Sequence, residues 1–219
     1  MCSVDWGGQE GGGVVRGGKD WEGAWQGFFG NRTLLAGLRE VLGVNGCREG
    51  WLQAEAFRYF RGRGVDFFCN ERSIGRRVKA DFSAYADEQN LASLTMFAEC
   101  KVLGLDYQPK NVTGTASGLQ ALLAAHPGKG TILLNNDMPS RAFHAKGTSS
   151  LVSDYFRLVE AVSVPLTARR YLFLVLDKRH KPNHAGGALL RLRFEAPPVI
   201  SVKADDLEVR GWRVRGRLA

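Results

Sequence analysis

Three residues of this chain have types and spacing that could do chemistry: Asp81 in RVKADFSAY, and Glu99 and Lys101 in FAECKVLG. Both stretches alternate as strands do. In the second, Met96, Ala98, Cys100 and Val102 share one face, and Phe97, Glu99, Lys101 and Leu103 share the other. In the first, Val78, Ala80 and Phe82 oppose Lys79, Asp81 and Ser83. If the two strands are neighbours, both acids stand close together on the face turned away from the core. Paired carboxylates disfavour each other's ionisation. A divalent cation that prefers hard oxygen ligands, Mg²⁺ or Mn²⁺, relieves that conflict. A lysine on the same face could then meet a metal-bound water or the charge developing on a phosphate oxygen.

The elements needed to position these groups are legible around them. Asp20 to Val44 carries helical spacing through Trp21, Trp25, Phe28, Leu34, Leu38 and Leu42, broken near Gly30. EGWLQAEAFRYFR, residues 49–61, reads as an amphipathic helix stopped by Gly62 and Gly64. Strands are expected over 65–71, 77–85 and 94–103, the first two joined by a Ser-Ile-Gly turn. Beyond them the pattern predicts a short helix over 116–125, a strand over 131–135, a helix over 150–164 and strands over 170–176, 189–194 and 207–214.

Asp81, the Glu99-Cys100-Lys101 triplet and a preceding helix bearing Glu55 resemble the PD-(D/E)XK nuclease superfamily. The resemblance implies an α/β (α+β) restriction-endonuclease-like fold. Its αβββαβ core would be a central mixed sheet flanked by helices, supplied by about 49–135, with additional helix and strands in a C-terminal extension over about 148–219. It further implies metal ligation by Asp81, Glu99 and the Cys100 carbonyl. A water-orienting or charge-stabilising role would fall to Lys101, and Glu55 would be an added ligand. Each residue also has an ordinary reading. Glu99 and Lys101 could form a salt bridge on a solvated sheet face, and Asp81 could be an exposed acid. Glu55 could pair with Arg58 or Arg61, and Asp66 or Glu71 could replace Asp81 if the strand boundaries shift.

The 219 residues suit one domain over 19–219 behind a flexible glycine-rich start at 1–18. A net charge of +8 and a pI near 9.6 point to a polyanionic partner. DNA is expected ahead of RNA, and a homodimer or larger complex is left open. The basic residues nearest the acids are Arg72, Arg76, Arg77 and Lys79. Lys178, Arg179 and Lys181 form a second group, and Arg210, Arg213, Arg215 and Arg217 a third. In the last, Arg213 and Arg215 alternate with Trp212 and Val214, as on a strand with one basic face for backbone contact. Gly13 to Lys19 approaches a phosphate-binding loop, but Asp20 stands where a hydroxyl should follow and no strand leads in. The four cysteines form no CxxC pair, which argues against a structural zinc site. His180 and His184 are separated by Pro182 and share no helix face. With no signal-like or membrane-spanning run, the expected location is the cytoplasm.

Overall fold

The break expected near Gly30 divides helix α1 (Trp21–Phe29) from α2 (Arg32–Leu42). Each helix has its own start. The Asp20 side chain accepts from the Gly23 N–H at 2.8 Å, and the Asn31 side chain from the Leu34 N–H at 3.0 Å, so each cap pairs one first-turn donor. Helix α3 (Arg48–Gly62) follows, with Leu52, Ala56, Tyr59 and Phe60 buried along one stripe. These come from a computed structural model that describes residues 20–44, 46–74, 78–87, 90–104, 107, 109–114, 132–134, 150–161, 164–179 and 192–216.

Strands β1 (Phe68–Ile74), β2 (Val78–Tyr85) and β3 (Leu94–Leu103) form an antiparallel meander. The short helix α4 (Pro109–Thr113) and α5 (Leu151–Val159) fall between β3 and β5 (Arg169–Asp177), which is parallel to β3. Strand β7 (Ile200–Ala204) and β8 (Leu207–Arg213) complete a six-stranded sheet in the order β1-β2-β3-β5-β8-β7. It is mixed, antiparallel everywhere except at β3 and β5.

Two outcomes differ from the expected arrangement. The strand expected over 131–135 exists as β4 (Ile132–Leu134), but it pairs with β6 (Leu192–Phe194) in a separate two-stranded sheet. The helix and strand that stand beside β3 are instead α5 and β5, from the stretch expected to be an extension. Composition explains the exchange. RRYLFLVLD is buried over nearly its whole length, as a central strand covered on both faces must be. From α3 to Asp177 the described elements thus run α3, β1, β2, β3, α4, β4, α5 and β5, with β4 outside the main sheet, and the helix expected over 116–125 lies outside the described residues. Strand β8 is flanked by β5 and β7, so the edge falls to the unanticipated β7, whose ISVKA alternates buried and more exposed positions.

The sheet separates two cores. Met96, Ala98, Tyr171, Phe173 and Val175 face α1, α2 and α3, where Trp25 is fully buried among Phe28, Phe29, Phe60, Phe82 and Phe173. Phe97, Leu172, Leu174, Trp212 and Val214 face α5. The β3 face carrying Glu99 and Lys101 is thus covered by a helix, not solvated: the two residues are 2% and 5% exposed. Gly211 on β8 admits no side chain, because a Cβ there would lie 2.8 Å from the Phe173 ring. Among the described residues, no helix is long and apolar enough to cross a membrane.

Candidate active site

The site begins where two strands part. Strand β2 pairs with β3 from Tyr85↔Leu94 to Phe82↔Ala98 and then continues along β1 alone. Past Ala98 the β2 edge of β3 has lost its ladder partner, and buried backbone donors there need another. Carboxylates take that place. The Cys100 N–H donates to Asp81 Oδ2 at 2.7 Å, and the Val102 N–H donates to Glu49 Oε1 at 3.4 Å. Because a paired residue projects N–H and C=O from the same strand edge, the Cys100 carbonyl faces the same opening.

Helix α3 secures the first acid. Gln53 Nε2 donates to Asp81 Oδ1 at 3.2 Å, and the Gln53 backbone carbonyl accepts from Asn70 Nδ2 at 2.8 Å, which ties α3 to β1. Helix α5 closes the other side, started by a Ser150–Ser153 capping box. Its Asp154 is 1% exposed, lies 3.8 Å from Lys101 Nζ and is bonded to Arg157. Arg157 reaches on to Glu99 Oε2 at 3.3 Å. Lys101 Nζ also meets Glu49 Oε1 at 2.9 Å.

These contacts bring Asp81, Glu99 and Lys101 together, as the strand pattern predicts. They do not include Glu55, which pairs with Arg58 one turn along at 3.3 Å. The α3 acid that reaches the cluster is Glu49. Four residues missing from the sequence reading belong here: Glu49, Gln53, Asp154 and Arg157. Two of them left a trace. Gln53 and Asp154 fall on the apolar stripes of α3 and α5, between Leu52 and Ala56 and between Leu151 and Leu158, where a polar residue needs a partner.

The electrostatics are unbalanced. Among the described residues, four carboxylates, on Glu49, Asp81, Glu99 and Asp154, stand with two cations, Lys101 and Arg157. Burial, then the Asp154 and Asp81 carboxylates, push Glu99 well above the usual carboxylate range, with Arg157 opposing. Burial likewise raises Asp154 to about 6 against Lys101 and Arg157. It also raises Asp81, against the Cys100 N–H bond. For Lys101 burial acts downward, but Asp154 and Glu49 outweigh it and its pKa lies above the ordinary value. Among the described residues, Glu99 Oε1 is buried with no hydrogen-bond partner. An open cleft of about 410 Å³ reaches Asp81, between the start of α3 and the parted strands, bordered by Gly46, Glu49, Gly50 and Gln53.

The donor set suits a hard cation: two adjacent carboxylates, one with an orphaned oxygen, beside a strand-edge carbonyl. Among the described residues no three His, Cys, Asp or Glu side chains form a ready ligand group. Mg²⁺ typically takes one or two carboxylates and completes its shell with water and substrate phosphate, so two acids and a carbonyl fit it. The expected nucleic-acid contacts are more dispersed. Lys79 is exposed on β2, Arg72 stands on β1 opposite Ala80, and Arg76 and Arg77 lie outside the described residues. Arg213 and Arg215 are exposed after Trp212 and Val214 turn inward, Arg213 within 4.0 Å of Glu22. Compared with protein-family models, curated proteins and solved structures, the chain matches none.

Proposed function

We propose that this protein is a metal-dependent nuclease of the PD-(D/E)XK kind, hydrolysing phosphodiester bonds of nucleic acid, DNA ahead of RNA. The observation that carries the reading is the gathering of acids where β2 and β3 part: among the described residues Glu49, Asp81, Glu99 and Asp154 stand with two cations, and the buried Glu99 Oε1 has no hydrogen-bond partner. Asp81, Glu99 and the Cys100 carbonyl would hold Mg²⁺ or Mn²⁺. Such an ion, when bound, supplies charge neutralisation at the phosphate and a lowered pKa for a bound water.

The chain's own residues do the rest. Asp81, tied to the Cys100 N–H and to Gln53, stands at the cleft wall with its carboxylate orientation set before substrate arrives. Lys101, kept protonated by Glu49 and Asp154, places an ammonium beside the two acids, where it stabilises negative charge gathering on a phosphate oxygen. Arg157 holds Glu99 and Asp154 apart from free rotation. Burial under α5 excludes water from this side of the sheet, which strengthens each of these interactions.

A second reading has its own support. Lys101 and Arg157 are both ion-paired, as they would be in a non-catalytic nucleic-acid-binding or assembly protein on the same scaffold. Incubation with plasmid, single-stranded DNA and RNA separates the two. The nuclease reading expects cleavage with Mg²⁺ or Mn²⁺ that chelator abolishes, and its loss in Asp81→Asn, Glu99→Gln and Lys101→Met while circular dichroism stays native. Wild-type protein that binds but never cuts would favour the second reading.

A further inference from the structure

The outward face of α3 continues from the cleft. Gly50, Ala54, Phe57, Arg58 and Arg61 are all exposed, and their spacing puts them on one side of the helix. Gly50 borders the cleft, and a Cβ there would meet nothing within 4 Å. Ala54 extends this low floor. Phe57 then stands 41% exposed, an aromatic ring left at the surface where α3 buries Leu52, Tyr59 and Phe60. Arg61 lies 6.0 Å from the centre of that ring, and Arg58 is beside it. Among the described residues Arg58 pairs with Glu55, and Arg61 pairs with the Asp66 carboxylate and donates to the Asp66 backbone carbonyl, with both guanidinium groups at the surface. Exposed pairs of this kind are worth about 0–1 kcal/mol, so a phosphate can replace the carboxylate.

A smooth floor, then an exposed aromatic flanked by arginines, is the surface that binds single-stranded nucleic acid: a base stacks on the ring while guanidinium groups follow the backbone. We infer that the exposed face of α3 is a single-strand track leading to Asp81, with Phe57 stacking a base and Arg58 and Arg61 contacting the flanking phosphates. The inference rests on the nuclease reading for what lies at the end of the track, but binding can be measured without cleavage. The cleft supports this choice of substrate. At about 410 Å³ it lies within the range of ligand pockets, roughly 300–1,000 Å³, and gives one nucleotide at the end of the track room beside Asp81.

The test uses the full chain with chelator, a fluorescent oligothymidylate and a duplex of equal length. Wild type binds the single strand. Phe57→Ala weakens that binding about tenfold or more, in keeping with the loss of one stacked base, and Phe57→Trp restores it. Ala54→Glu, which places a negative charge on the floor, also weakens it. None of the three changes the melting temperature, because these side chains are exposed. With Mg²⁺ added, Phe57→Ala raises KM and leaves kcat nearly unchanged. The track is overturned if wild type does not bind the oligonucleotide, or if Phe57→Ala binds it as wild type does. It is also overturned if duplex binding falls equally, or if polyglutamate displaces the strand as well as unlabelled oligonucleotide does, which would mark a surface for acidic protein. Single-strand binding that depends on Phe57 without any cleavage would sink the nuclease reading and leave the track standing. Cleavage with an unchanged KM in Phe57→Ala would do the reverse.

Discussion

Asp177 and Glu208, where β5 meets β8, are as buried as Glu99 and Asp154 under α5: 0% and 3% exposed against 2% and 1%. Their surroundings differ. Asp177 accepts from Arg179 through both oxygens, Nε to Oδ1 at 3.0 Å and Nη2 to Oδ2 at 2.6 Å. Glu208 meets Lys178 at 2.6 Å and Arg210 at 2.5 Å. Burial pushes Glu208 up, but these two cations hold it below the usual carboxylate range. In the cluster at β2 and β3 the acids outnumber the cations among the described residues, and the carboxylate shifts run upward. Depth of burial is common to both places, so it does not mark a functional site. What separates the two places is how far the described cations offset the acids.

This contrast also reassigns basic residues. Lys178, Arg179 and Arg210, grouped in the sequence as contacts for a polyanion, are the partners that neutralise Asp177 and Glu208. Arg179 additionally donates to the Arg39 carbonyl at 2.8 Å, and Arg39 pairs with Asp205 and Asp206. The network ties α2 to the β7–β8 hairpin.

The largest expected effect tests the unbalanced cluster directly. Glu99→Gln lowers the cleavage rate by at least on the order of 100-fold, while its melting temperature at pH 7 equals or exceeds that of wild type, since a buried acid with a raised pKa no longer has to ionise. A stability loss in parallel with the activity loss would make Glu99 a structural residue. Asp177→Ala does the opposite. It costs about 1–3 kcal/mol in denaturant unfolding, the usual result of breaking a buried charged hydrogen-bonded pair, and leaves the rate per folded molecule unchanged.

Smaller effects sharpen the same comparison. A divalent cation at ten times its dissociation constant stabilises the fold by about 1.4 kcal/mol. Thermal shift should show this in wild type, not in Asp81→Asn, and chelator should reverse it. An equal shift in both would place the ion elsewhere. The smallest difference lies in pH dependence, where the two regions have opposite signs. Asp154 rises from 3.8 to about 6 on folding, so its contribution is full below about pH 4 and is lost as pH rises through about 6. The melting temperature of Asp154→Asn should therefore gain on wild type between those values. Glu208 is lowered from 4.5, so its contribution is present above that value and disappears as pH falls. Wild type should lose its advantage over Glu208→Gln on acidification below about pH 4.5. A common sign for both variants would remove the distinction.

Periodicity was sufficient for much of the architecture. The helical stripe of 49–61, the alternation of 77–85 and 94–103 and the apolar run at 170–176 each report a local requirement to bury one face or both, and each became the expected type of element. The same alternation put Asp81, Glu99 and Lys101 on matching faces. It could not say that this face is covered, because α5 arrives from about fifty residues further along the chain. Nor could it rank Glu49 above Glu55. Both are acids on one helix, and only the position of α3 against the parted strands decides which one meets Lys101.

What the chain determined by itself is therefore local: which residues alternate, where helices start and stop, and which acids share a strand face, all consequences of backbone geometry and short-range burial. What only the tertiary structure decided is where charges are compensated. Coulomb energy depends on distance and on the water excluded between groups, and neither is encoded in spacing along the sequence. That is why Arg179 and Arg157, alike as sequence, neutralise a closed pair in one place and leave an acidic excess in the other.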